Sequence, residues 1–192
     1  MSKGRLEAFS DGVIAILITI LVLELKIPHG SDLNALRAIL PQFSTYALSF
    51  VFLGIYWNNH HHMLHATTHV NGAILWANLH LLFWLSLVPV STGWMGEYHT
   101  EALPTATYGV FLLLSGTSYW ILQRTIIASQ GPSSKLAAMI GSDVKARAST
   151  VLYASAVPLA YVRWWLSDII YVVVALMWLV PDRRIETRLH DE

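Results

Sequence analysis

The sequence of 192 residues predicts an all-α, polytopic membrane protein with six transmembrane helices and both termini cytoplasmic. Three observations predict it. Hydrophobic residues make up 55% of the chain and charged residues only 12%, where a soluble domain carries about 25% charged residues. That is too little charge to clothe a water-facing globule of this size. Eight Trp and eight Tyr suit a chain that meets membrane interfaces repeatedly. Apolar runs approaching the roughly 20 residues needed to cross a bilayer recur along its length.

The spans are expected near 6–27, 42–62, 71–92, 105–127, 146–162 and 164–181, within a single transmembrane domain covering 1–192. The first centres on the run from Val13 to Leu23 and stops near Pro28. The second runs from about Phe43 to Trp57 and the third from Ala73 to Val90. The fourth extends from Thr107 to Ile127, and the short fifth follows Arg147. The sixth, Trp164 to Val180, ends at Pro181-Asp182-Arg183-Arg184. Pro89 and Pro158 fall inside spans, where neighbouring helices satisfy the freed carbonyls.

Orientation follows from the distribution of Lys and Arg. Lys3, Arg5, Arg124, Lys135, Lys145, Arg147, Arg183, Arg184 and Arg188 lie on one side, and Lys26, Arg37 and Arg163 on the other. The side with nine against three holds both termini. An even number of spans requires the same.

Several functions are excluded. The chain has no Cys, so a disulfide framework, thiolate nucleophile or Cys-ligated zinc site is impossible. Twelve basic residues against twelve acidic ones, with no basic run, argue against a nucleic-acid partner. Nucleophile elbow, phosphate loop and paired catalytic carboxylates are all missing. No enzyme activity, catalytic residue, cofactor or bound metal is expected.

Ionisable and polar groups in spans are costly and face protein or water. Arg5, Ser10 and Asp11 open the first span. Beyond them Gly12, Ile16, Thr19 and Leu23 recur three and four residues apart, which places them on one helical face. Two readings stand. The stripe packs against a neighbouring helix, with Gly12 permitting close approach and Thr19 bonding back to its own helix. Alternatively it is a pore wall, where a narrow apolar ring controls wetting. Glu24 follows near the outer mouth, placed to concentrate cations, pair with Lys26 or reach headgroups. The second span ends in Tyr56-Trp57-Asn58-Asn59-His60-His61-His62. His61, His65 and His69 share a face if the helix continues, a spacing compatible with a metal. The alternative function is therefore a metal- or haem-binding membrane protein or enzyme centred on His60–His69. Asn78 and His80 interrupt the apolar third span, as residues that bond between helices do.

The run Arg5-x-x-x-Phe9-Ser10-Asp11, followed by Gly12-Val13 and an apolar helix, resembles the signature of the endolysosomal potassium channel family, the transmembrane-protein-175 type. The likeness continues through Tyr56-Trp57-Asn58-Asn59-His60-His61, Leu75-Trp76-Ala77-Asn78 and Trp94-Met95-Gly96-Glu97. It covers the first half in detail and the remainder by span count. The resemblance implies a potassium-permeable cation channel in the bacterial inner membrane, assembled as a homotetramer. Its partners are then permeant monovalent cations, potassium above all, the lipid bilayer and other copies of itself. The first helix would line the pore, with the constriction on Ile16, Thr19 and Leu23 and the Thr layer as part of the filter. Arg5, Ser10 and Asp11 would join Trp57, His60 and Asn78 in a polar network.

Overall fold

The structure is a computed structural model and describes residues 2–140 and 144–179. These residues form helices joined by short connections. The first helix, α1 (Lys3–Ile20), tightens into a single 3-10 turn at Leu21–Glu24. Then come α2 (Leu33–Ala38), α3 (Leu40–His65), α4 (Gly72–Ser86), α5 (Val88–Glu97), α6 (Ala102–Gln130), α7 (Lys135–Ile140), α8 (Val144–Val162) and α9 (Trp164–Leu179).

Local chemistry sets several boundaries. Asn71 caps α4 by accepting from the backbone of Ile74 at 3.0 Å, supplying a partner for an orphan N–H. Pro89 explains the break between α4 and α5, because it lacks an N–H and its ring crowds the carbonyl four residues back. It therefore sits in the first turn of the new helix. Gly131 closes the 29-residue α6 with a φ of 92°, a conformation that favours glycine.

The long α6 is the central post, packing against α4, α5, α8 and α9, while α1 lies on α3 and α4. Leu53, Leu81, Leu85, Leu112 and Leu122 are buried between them. Small residues admit close contacts within this core. A Cβ at Gly109 would collide with the Tyr171 hydroxyl, which instead donates to the Thr105 carbonyl at 2.9 Å. Tyr108 and Ser49 bond at 2.9 Å, and Thr92 donates to Ser49 at 2.7 Å.

The expectation of six spans is corrected. Among the described residues, three helical stretches are long and apolar enough to cross a membrane: Lys3–Glu24, Gly72–Glu97 and Ala102–Gln130. The protein is thus all-α and multi-pass, with three such helices. The reasons are local. At 26 residues α3 has the length, but Gln42, Ser44, Thr45 and Ser49 dilute one end and Asn58 to His62 the other. Lys145, Arg147, Ser149 and Thr150 do the same to α8. The apolar α9 is described over only 16 residues. With six spans goes the parity argument that set both termini on the cytoplasmic side. Of the residues used for orientation and for ending the sixth span, Val180, Pro181, Asp182, Arg183, Arg184 and Arg188 lie outside the described residues.

Candidate functional site

The first helix carries two faces of different fate. Leu6, Ser10, Ile14, Leu17 and Leu21 are buried, and their steps of four, four, three and four residues make one continuous stripe. This stripe is what holds α1 against α3 and α4. The sequence-selected stripe points elsewhere: Ile16 is 57% and Leu23 76% exposed, and Gly12 and Thr19 are exposed with them. No helix among the described residues covers it. A Cβ at Gly12 would meet nothing within 4 Å, so that glycine admits no close neighbour within this chain. The Thr19 hydroxyl donates to the Ile16 carbonyl at 2.8 Å, which leaves its oxygen lone pairs free.

Behind the exposed stripe, polar side chains tie α1 to its neighbours. Asn78, fully buried on α4, donates to Ser10 Oγ at 2.9 Å, and its Oδ1 pairs with His60 Nε2 at 2.7 Å. One amide thus joins three helices. Asp11 accepts from Trp57 Nε1 at 3.1 Å. His60 turns to Asn78 and not to Asp11. Arg5 stands apart from this cluster: it is exposed, with no hydrogen bond or ion pair among the described residues.

The other histidines scatter. The rings of His61 and His65 stack at 6.3 Å and 7° on the exposed side of α3. His69 lies beyond the helix end, 3.1 Å from Ser129 Oγ. His80 accepts from Trp84 on its own helix at 2.9 Å. Among the described residues no three metal-ligating side chains converge. The helix ends at His65, so the one-face alignment of His61, His65 and His69 does not form.

At the opposite end of α1, the structure joins Glu24 and Lys26 to Gln42, a residue that spacing did not single out. Gln42 Nε2 donates to the Glu24 carbonyl at 2.6 Å, and its Oε1 accepts from the Lys26 N–H at 3.1 Å. Lys26 Nζ pairs with Glu97 at 2.6 Å, not with Glu24, whose carboxylate rests against Gly93. The available signals were a lone amide just after Pro41 and the Trp94-Met95-Gly96-Glu97 motif.

The family described as "Endosomal/lysosomal potassium channel TMEM175" matches residues 5–89. A potassium channel of Chryseobacterium sp. (strain P1-3) is 51% identical over 191 residues, covering 100% of both chains. This chain belongs to the TMEM175 family. A potassium channel of Streptomyces collinus is 36% identical over 135 residues, or 64% of this chain and 66% of that one. The crystal structure of a lysosomal potassium-selective channel TMEM175 homolog from Chamaesiphon minutus superposes with a TM-score of 0.82. It shares 27% identity and covers 93% of this chain and 96% of that one. The TMEM175 match contains both the exposed stripe of α1 and the Ser10–Asn78–His60 cluster. Gly93, Gly96 and Glu97 fall outside it.

Proposed function

We propose that this chain is a potassium-permeable channel of the cell membrane, in which Ile16, Thr19 and Leu23 of four copies surround a common axis. The observation that carries the reading is the exposed apolar stripe on a helix whose other face is buried. By itself such a stripe on a membrane helix, like the exposed apolar residues of the other helices, has no use beyond facing lipid. The membership in a family of channels gives it one, and makes the protein a channel and not an enzyme. The relatives in Chryseobacterium and Streptomyces are named potassium channels, and potassium comes to this chain by that likeness. The chain acts as a single transmembrane domain with bilayer lipid, potassium and its own copies as partners, and it needs no cofactor.

An ion on this axis meets methyl groups at Ile16 and Leu23. No carbonyl cage replaces its water, so passage through the neck costs dehydration, and an apolar constriction of this kind also gates by dewetting. Potassium holds its hydration shell less tightly than sodium and passes more readily. The Thr19 layer eases that step: with its proton engaged by the Ile16 carbonyl, each hydroxyl presents an oxygen to the cation. Ser10, Asp11, Trp57, His60 and Asn78 hold the inner half of α1 in register and do not touch the ion. Arg5 is a member of this group through the signature alone.

Potassium and sodium flux through purified protein in liposomes tests the reading. Ile16→Asn and Leu23→Asn wet the neck and change flux and ion preference together. Thr19→Val removes the hydroxyl at nearly constant volume and lowers potassium preference with assembly intact. Unchanged flux and preference in both Asn variants would remove α1 from the pore.

A further inference from the structure

We infer that Gln42, seated on Gly96, and Gly93, seated under Glu24, form a clamp that positions the Leu23 constriction and so sets ion preference. The inference rests on the pore reading and names the residues that hold its outer ring in place.

The last carbonyls of α1 have no intrahelical partner, and in an apolar surrounding an unpaired carbonyl is costly. The chain tightens into the 3-10 turn at Leu21–Glu24, closed by Leu25 N–H to Val22 at 3.2 Å. The Glu24 carbonyl is then taken by Gln42 at 2.6 Å. The same amide receives the Lys26 N–H at 3.1 Å. One buried side chain from α3 therefore grips the backbone on both sides of Leu25, next to Leu23.

Gln42 is held in turn by α5. A Cβ at Gly96 would stand 3.0 Å from both Cα and Cγ of Gln42, so only glycine lets the two helices meet this closely. One turn earlier, any side chain at Gly93 would strike the Glu24 carboxylate. Lys26 adds the 2.6 Å ion pair to Glu97, exposed and therefore weak. Leu23 itself makes none of these contacts and stands 76% exposed. Its position is consequently set by its neighbours Glu24 to Lys26, and a shift there passes directly into the neck.

The test uses the full chain in liposomes, reading the potassium-to-sodium flux ratio beside elution profile and melting temperature. Gln42→Met removes both hydrogen bonds at similar volume and lowers the ratio several-fold with assembly retained. Gly93→Ala, whose methyl strikes the Glu24 carboxylate and makes ordinary contact with the Glu24 Cβ, lowers it as well. That second effect disappears in a Glu24→Ala background, because the clashing atoms are gone. If Gln42→Met does not assemble, Gly93→Ala decides alone. A wild-type ratio in the clamp variants, or a Gly93→Ala effect that persists without the Glu24 carboxylate, overturns the clamp. Leu23→Ala run in parallel separates the two claims. A shift there beside an unaffected Gly93→Ala sinks only the clamp, whereas no shift in Leu23→Ala sinks the pore reading and the clamp with it.

Discussion

Leu17 and Leu23 are the same residue type six positions apart on one helix, and their environments make opposite predictions. Leu17 is 7% exposed and packed in the core; Leu23 is 76% exposed. Truncating a buried Leu to Ala costs about 2–5 kcal/mol in a soluble core, part transfer and part cavity. Within a membrane the transfer part shrinks, since lipid is as apolar as the side chain. The cavity part remains, and Leu17→Ala is expected to cost about 2 kcal/mol. For a chain of this size that lowers Tm by about 4–8 °C. Leu23→Ala leaves no buried cavity and stays within about 0.5 kcal/mol of wild type. Flux reverses the order. Leu23→Ala widens the neck and admits sodium more readily, while Leu17→Ala keeps the wild-type ion preference. The assays are thermal unfolding in detergent and paired potassium and sodium flux in liposomes. A Leu23→Ala variant that melts early with its preference intact would refute the assignment of faces. So would a Leu17→Ala variant of normal stability and altered preference.

Two further outcomes follow from the site. Asn78→Leu strips Ser10 and His60 of their shared partner, and two interhelical bonds at roughly 0.6 kcal/mol each on average make a loss of about 1 kcal/mol or more. Unfolding in detergent reads it, and an unchanged Tm would deny Asn78 its bridging role. Chelator treatment leaves the melting temperature where it was, because among the described residues no ligand set converges on His61 or His65 and a structural metal would contribute folding energy outright. A clear drop on chelation would return the histidines to consideration.

Helical class and membrane residence were legible in composition, because a backbone in lipid must satisfy its own polar groups and too few charges remain for a water-facing shell. The stripe on α1 was legible too: steps of three and four share a face of an α-helix, and Ile16, Thr19 and Leu23 all stand exposed although Leu23 lies on the 3-10 turn. Spacing was silent on which face of α1 is covered. Both stripes, Leu6–Ser10–Ile14–Leu17–Leu21 and Gly12–Ile16–Thr19–Leu23, are mainly apolar and nearly equal in period, so only the arrival of α3 and α4 distinguishes them. The count of spans misled because length and hydropathy are separate requirements. Runs such as Phe43 to Trp57 are helical, yet α3 as a whole carries Gln, Ser, Thr, Asn and His whose partners lie on other helices. His60 shows the same limit. Spacing left a metal cluster with its neighbours open beside the polar network that the family resemblance implied, and only folding turns it inward to Asn78 and leaves His61 and His65 outside. The Gln42 clamp was least legible of all, since it joins residues 16 and 18 positions apart across glycines on a third helix. Periodicity reports the direction in which a residue points from its own helix; what it meets there depends on helices brought alongside by the rest of the chain.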